Sequence, residues 1–328
     1  TVILITGGTG SFGQNFIAII YTKYPPNKVI IYSRDEFKQF ELMKIYKKKR
    51  YKGIRFFLGD IRDKDRLIEA LRGVNIVIHA AALKQLTLAE ENPQECIKTN
   101  IYGSQNVIDA CIYNKVKTVM ALSTDKAANP VNLYGATKLA AEKIFINSNL
   151  LSRDDSSVFS VVRYGNVINS RGSVIPYFKS LVKNGSKTLP LTDLEMTRFF
   201  ITLEQSVEFV ISCVEKMMGG EIFVPKLPSI KIKDIGKALN PKIKYKIIGR
   251  RAGEKIHEIM CPPETDTLTY EFKNFYLILP SIKLPLRNNH QKIIKKYNGR
   301  KVTPNFSYSS EINKFLSISK IKDIVNIE

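Results

Sequence analysis

The chain opens on a short apolar run, Val2 to Ile5, that passes directly into Thr6-Gly7-Gly8-Thr9-Gly10-Ser11-Phe12-Gly13. Strand-forming residues, glycines at every third position and then the apolar-periodic stretch Phe16 to Ile20 predict strand, tight turn and helix. That order constrains the fold strongly. It is the start of a doubly wound parallel sheet, in which Gly7, Gly10 and Gly13 let the backbone approach a pyrophosphate whose charge the helix N-terminus meets. Ser11 and Phe12 belong to the same candidate cofactor-binding turn. The alternative is a merely glycine-rich turn, against which the flanking strand and helix signals speak.

A second stretch, Leu122 to Lys143, concentrates reactive side chains around one loop: Thr124, Asp125 and Lys126, then Tyr134 and Lys138. Tyr134 and Lys138 are one helical turn apart among helix formers, so they share a face. An ammonium beside a phenol favours phenolate, which predicts Tyr134 as a base below the ordinary phenol value of roughly 10. Thr124 is then placed to hold the oxygen being deprotonated.

Between these stretches the chain alternates apolar strands with helical segments. Lys28 to Tyr32 is a second buried strand, ending in Ser33-Arg34-Asp35. An acidic residue at that end suits the ribose 2′-hydroxyl of NAD, whereas an arginine suits a 2′-phosphate. Arg34 holds the place, with Ser33 and Lys38 near, which favours NADP; Asp35 and Glu36 are expected to turn outward. Ile54 to Leu58 and Val74 to His79 are the third and fourth strands, the latter opening into Ala80-Ala81-Ala82-Leu83-Lys84. Ala80 and Ala82 let the chain pass close to a cofactor, and Lys84 is expected to point into the cleft. His79, at the buried end of an apolar strand, reads as a core histidine and is assigned no role. One helix is expected from about Glu95 to Asn114, and a fifth strand from Val116 to Ser123.

From Arg163 the elements shorten and the loops lengthen. The expected organisation is a Rossmann-type α/β domain over residues 1–162 and a smaller, mainly substrate-binding domain over 163–328, with crossings back to the first allowed. Asn166, Ser170, Arg171 and Gly172 precede a helix expected near Pro176; Arg198, Arg251 and Glu254 lie on later loops. Arginine forks suit phosphate oxygens and glutamate suits ribose hydroxyls, so these residues are candidates for a nucleoside diphosphate, with surface salt bridging as the alternative.

A net charge of +21 over 328 residues raises nucleic-acid binding. The lysine runs, densest at Lys44 to Lys52, lack interleaved aromatic and glycine signatures, and solvated faces explain them better. No apolar run approaches the roughly 20 residues a bilayer span needs, and no signal peptide precedes the first strand. A cytoplasmic soluble enzyme without nucleic-acid or membrane partners is therefore expected. Cys96, Cys111, Cys213 and Cys261 are widely separated and have no histidine at ligand spacing, so neither a metal site nor a disulfide framework is indicated.

The glycine-rich turn together with Tyr134-x-x-x-Lys138 resembles the extended short-chain dehydrogenase/reductase family. The ordered motifs TGGTGSFG, SRDEFKQ, GDIRD, HAAALKQ, LSTDKAANPVNLYGATK, RYGNV, SRGSVIP, MTRFF and GEKIHE, across residues 6 to 258, sharpen the resemblance to the inverting UDP-N-acetylglucosamine 4,6-dehydratases. Leu86-Thr87-Leu88, Ala252 and a lysine-rich segment near 281 to 301 depart from that pattern. The resemblance implies adenine contacts from Asp60 and Ile61, and a homo-oligomer. It also implies that Tyr134, assisted by Lys138, deprotonates the sugar 4-hydroxyl. Lys126 would remove the C5 proton and Asp125 would protonate the departing 6-hydroxyl. Lysine serves as a base only with a lowered pKa, which burial is expected to supply. A nucleotide-sugar 4-epimerase and a non-catalytic NADP-binding sensor are the alternatives.

Overall fold

Val2–Thr6 (β1), Lys28–Ser33 (β2), Ile54–Leu58 (β3), Ile76–His79 (β4), Thr118–Thr124 (β5) and Val158–Tyr164 (β6) are short runs, mostly of β-branched, aliphatic and aromatic residues, separated by helical segments. Such strands, buried on both faces, build parallel sheets. In the computed structural model, which describes residues 1–46, 51–152, 157–168, 170, 172–284 and 289–326, all six pair in parallel in the order β3-β2-β1-β4-β5-β6. Strand order reverses between β1 and β4, and the carboxyl ends there open a crevice of the kind that takes ligands in doubly wound sheets.

The C-terminal half returns to this sheet. Ile222–Pro225 adds in parallel beside β6, and Phe275–Ile278 pairs antiparallel with it, followed by Thr269–Glu271 and Arg300–Lys301. The rest of that half forms a smaller body with its own core, including Ile175, Phe178, Leu189, Phe200, Ile235 and Ile321. A three-stranded sheet of Ser229–Lys231, Thr197–Ile201 and Asn166–Val167 flanks the crevice. Among the described residues no helix is long and apolar enough to cross a membrane.

Helix α1, Ser11–Lys23, follows β1 through the glycine turn. A Cβ on Gly13 would lie 2.4 Å from the Gly8 carbonyl oxygen, so only glycine lets the helix start this close to the strand. His79 is buried, 2.8 Å from Thr6 Oγ1 and 3.3 Å from Ser104 Oγ, and burial pushes its pKa down to about 3, as befits a neutral core histidine.

Two expected helices differ in detail. The continuous Glu95 to Asn114 helix is instead Pro93–Ile97 and Gly103–Tyr113 joined by a π turn, Lys98–Tyr102. The widened turn carries Asn100, whose side chain bonds both backbone groups of Leu83 at 2.9 Å and Thr137 Oγ1 at 3.0 Å. It thereby ties the alanine loop to the Tyr134 helix. The helix expected near Pro176 begins at Val174, where proline's missing N–H falls in a first turn that has no intrahelical acceptor.

A buried ion pair joins the two halves. Arg163 on β6 grips Glu142 with Nε to Oε1 at 3.0 Å and Nη2 to Oε2 at 2.5 Å, while its Nη1 donates to the Met260 carbonyl at 2.7 Å. Removing one partner leaves the other charge buried and alone. Arg163→Met is therefore expected to cost about 3–5 kcal/mol, read as a lower denaturation midpoint, with much of the loss recovered in Glu142→Gln/Arg163→Met. An unchanged midpoint in the single variant would show that the pair contributes nothing.

Candidate active site

The crevice is a cavity of about 580 Å³ running from the glycine turn to the Asn166 strand. Along it lie the expected cofactor residues Gly7, Gly10, Ser11, Phe12, Gly13, Ser33, Arg34, Lys38, Asp60, Ile61, Ala80, Ala82 and Lys84. Thr124, Asp125, Lys126, Tyr134 and Lys138 line its middle, and Asn166, Ser170 and Gly172 its far end. Residues far apart in the chain thus meet in one groove. Arg171 and residues 47–50 of the basic run lie outside the described residues.

Helix α1 has no side-chain N-cap, so the donors of its first turn face the groove ready for an anion. At the β2 end, Arg34 Nη1 sits 3.5 Å from Asp60 Oδ2, and Asp35 caps the next helix through Lys38 N while pairing with Lys38 Nζ. Asp60 also takes Arg62 at 2.8 Å; burial pushes its carboxyl up, but Arg62 and Arg34 more than offset this and hold it below the usual range. Buried oxygens without a hydrogen-bond partner among the described residues line the same cavity: Thr99 Oγ1, Asp125 Oδ2, Asn166 Oδ1 and Ser173 Oγ. The uncapped turn suits a phosphate, and the oxygens of Asp125 and Asn166, which only accept, suit hydroxyl or amide donors of an elongated ligand.

The reactive centre is built by β5 and the helix Leu133–Asn147. β5 ends at Thr124, whose hydroxyl donates to Asp125 Oδ1 at 2.9 Å, and a 3₁₀ turn over Asp125–Ala127 follows. Asn132 caps the helix by accepting from Gly135 N at 2.7 Å. A Cβ on Gly135 would stand 2.3 Å from the Lys126 carbonyl oxygen, so this glycine lets the Tyr134 turn close on the Asp125–Lys126 turn. Lys138 is buried and donates to the Leu122 carbonyl at 2.7 Å. Burial draws its pKa down to about 8, against the pull of Glu142.

Two electrostatic expectations are overturned. Tyr134 is not a low-pKa phenol: burial pushes it up to about 12, beyond what Lys126 and Thr124 recover. Nor is Lys126 lowered. Burial alone would lower it, but Asp125 Oδ1 at 3.1 Å and Glu258 Oε1 at 3.3 Å outweigh burial and hold the ammonium above the ordinary lysine value. Asp125 itself is raised, chiefly by burial and further by Glu258, although Lys126 opposes.

Arg198, Arg251 and Glu254 are not brought into the cavity. Arg198 is buried, with its terminal nitrogens bonded to the carbonyls of Thr197, Lys255 and Ile256 at 2.7 to 2.8 Å. Arg251 and Glu254 close a small turn on each other, Glu254 N to the Arg251 carbonyl at 3.1 Å. That segment still reaches the site, because Asn132 Nδ2 donates to the Gly253 carbonyl at 2.8 Å and Lys255 Nζ to the Ala128 carbonyl at 2.7 Å. Sequence reasoning assigned nothing to Thr99, Gln85, Ser173 or Tyr164, which line the cavity, or to Glu258, which is 2% exposed beside Lys126. The GEKIHE motif contained Glu258, but only the fold shows that this glutamate is inside.

A doubly wound sheet with a glycine-turn groove and a tyrosine and lysine facing a Thr-Asp-Lys turn defines a short-chain dehydrogenase/reductase architecture. The chain belongs to the polysaccharide biosynthesis protein family, whose profile matches residues 3–280, and within it to the inverting UDP-N-acetylglucosamine 4,6-dehydratases. It is 56% identical over 326 residues to the protein of that name from Campylobacter jejuni subsp. jejuni serotype O:23/36 (strain 81-176), covering 99% of this chain and 97% of the relative. The solved structure of Pen from Bacillus thuringiensis superposes with a TM-score of 0.88 at 33% identity, covering 99% and 97% of the two chains. DesIV, a dTDP-glucose 4,6-dehydratase from Streptomyces venezuelae solved with NAD and TYD, shares the fold at a TM-score of 0.71 and 18% identity, covering 99% of this chain and 96% of that one.

The two lysines should separate in an NMR titration of their side-chain nitrogens in the ligand-free protein. Lys138 is expected to lose its proton near pH 8, whereas Lys126 stays charged beyond the ordinary lysine value of about 10.4. Lys126 titrating first would remove the carboxylate pairing from the description.

Proposed function

We propose that this chain dehydrates UDP-N-acetylglucosamine across C4 to C6 with inversion at C5, giving UDP-2-acetamido-2,6-dideoxy-β-L-arabino-hex-4-ulose. The observation that carries this reading is the Asp125–Lys126 pair, a buried carboxylate 3.1 Å from a half-buried ammonium, in the same cavity as Tyr134 and Lys138. Residues 1–162 hold a nicotinamide dinucleotide and 163–328 mainly the UDP-sugar, with Asn166, Ser170 and Gly172 toward the sugar nucleotide. Arg34 and Lys38 favour NADP. Tyr102 and Tyr113, large and exposed, support a homo-oligomer through the Gly103–Tyr113 helix face.

A nicotinamide dinucleotide held along the glycine turn would supply a hydride acceptor for C4 and a hydride donor for C6, which would make the reaction redox-neutral. Tyr134 takes the proton of the 4-hydroxyl at its Oη while Thr124 holds the same oxygen. Its phenol rests protonated, so binding must generate the base; Lys126 is the cation that already lowers it, and Lys138 lies one helical turn away. The 4-ketone then acidifies C5. Lys126 Nζ removes that proton and Asp125 gives its own to the leaving 6-hydroxyl, which departs as water.

These roles need an amine and a carboxylic acid, not the resting ammonium and carboxylate. Moving one proton from Lys126 Nζ to Asp125 Oδ1 across their 3.1 Å contact produces both at once, with no proton drawn from solvent. Burial favours that neutral pair, which is how a raised Asp125 and a charged resting Lys126 fit one mechanism. A 4-epimerase would leave this pair without a task, since epimerisation at C4 expels no 6-hydroxyl. A non-catalytic sensor would have no need of Tyr134 and Lys138 in the cavity.

Purified protein and UDP-N-acetylglucosamine in heavy water, followed by NMR, should show deuterium at C5 and the L-arabino ketone first; early D-xylo product would mean that the Asp125–Lys126 pair has been misread. Tyr134→Phe and Lys126→Ala should both lose dehydration, but only the latter should still slowly produce the absorbance of reduced dinucleotide. For the cofactor, NADP should bind more than about tenfold tighter than NAD, since a charge-assisted hydrogen bond contributes about 1.5–3 kcal/mol. Arg34→Asp should erase that preference in calorimetry, and equal affinities in the parent would sink the assignment.

A further inference from the structure

The acid and base of the proposed reaction both sit on the N-terminal half, yet their surroundings do not. Glu258 approaches from the C-terminal half, with Oε1 at 3.3 Å from Lys126 Nζ and 3.8 Å from Arg198 Nε, and Oε2 at 3.7 Å from Lys255 Nζ. Its backbone is pinned on both sides by Ser310: Glu258 N donates to Ser310 Oγ at 2.9 Å, and Ser310 N donates to the Glu258 carbonyl at 2.8 Å. Ser310 Oγ in turn meets Thr197 Oγ1 at 2.7 Å. A glutamate fixed this firmly and buried this fully holds a charge at a set point.

We propose that Glu258 is a positioning residue for the Asp125–Lys126 pair: its carboxylate orients Lys126 Nζ, strengthens it as a base toward C5, and keeps the proton on Asp125 until the 6-hydroxyl leaves. The proposal rests on the dehydratase reading given above. In the elimination the C5–H bond breaks and its proton goes to Lys126 Nζ. The C5–C6 double bond forms as the C6–O bond breaks, and the leaving oxygen takes the Asp125 proton. The pair changes from acid and amine to carboxylate and ammonium, with no change in total charge. Glu258 acts through Lys126 Nζ, 3.3 Å from its Oε1, and neither gives nor takes a proton in the step. It favours the ammonium by attraction and disfavours the Asp125 carboxylate by repulsion, so it steepens the basicity of one partner and delays ionisation of the other. The charged and titratable groups facing the pair are Glu258, Arg198 and Lys255 from the C-terminal half, Arg163 from β6 and Tyr134 from the helix; Lys126 first, then Arg198 and Lys255, hold Glu258 below the usual carboxylate range despite its burial.

The test is Glu258→Gln, which keeps the shape and one acceptor oxygen but removes the charge. Both members of the pair then titrate lower: Lys126 loses an attractive neighbour and Asp125 a repulsive one. The whole bell of kcat against pH should move to lower pH by at least about half a unit, with kcat down about tenfold or more and KM for UDP-N-acetylglucosamine within about twofold. Glu258→Asp, which keeps the charge but withdraws it by one methylene, should restore the position of the bell in part. A bell that falls in height without moving, or a Glu258→Asp enzyme no nearer wild type in its profile than Glu258→Gln, overturns the proposal and leaves Glu258 a structural residue. Wild-type protein that forms no dehydrated product overturns the underlying reading as well, so the two failures are distinct.

Discussion

The Glu142–Arg163 pair holds the site in place. Glu142 lies on the helix that carries Tyr134 and Lys138, Arg163 on the adjacent strand, and the third arm of the guanidinium reaches the Met260 carbonyl, two residues from Glu258. Ser123, next to Thr124 on β5, also donates to the Glu142 carboxylate. One buried charge pair therefore sets the distances between the tyrosine helix, the Thr-Asp-Lys turn and the segment that bears Glu258. Its burial carries a large desolvation cost, so its worth lies in geometry more than in net stability: several partners must be present together before the pair is tolerated.

The same dependence on partners explains what could be read from the residues alone. Close backbone packing was legible at Gly13, because a glycine between a strand and a helix reports a contact that a side chain would block. The parallel sheet followed from the alternation of strands and helices, and Tyr134 and Lys138 were legible because helical spacing alone puts them on one face. Their proton affinities were not. Expecting Tyr134 low and Lys126 low took into account one neighbour and burial respectively, whereas the actual balance includes Glu258, more than a hundred residues away in the chain. A glutamate in a sequence looks like surface, and Arg198 looks like a phosphate ligand; in the fold Glu258 is a buried counter-charge and Arg198 a brace for the carbonyls of 197, 255 and 256.

The division into a cofactor half and a substrate half is accordingly incomplete at the reacting atoms. Sheet strands from the C-terminal half extend the parallel sheet, and its 253–258 segment is bonded to both the Asn132 cap and the Ala128 carbonyl. Those bonds bring Lys255 and Glu258 to the Asp125 turn, so a shift of the C-terminal body relative to the sheet would change the charge around Asp125 and Lys126. Buried electrostatic interactions weaken only slowly with salt but change sharply with position, since little solvent lies between the groups. Binding of a UDP-sugar across both halves would therefore set the Asp125–Lys126 proton balance by geometry, and the base would be generated where the substrate already lies.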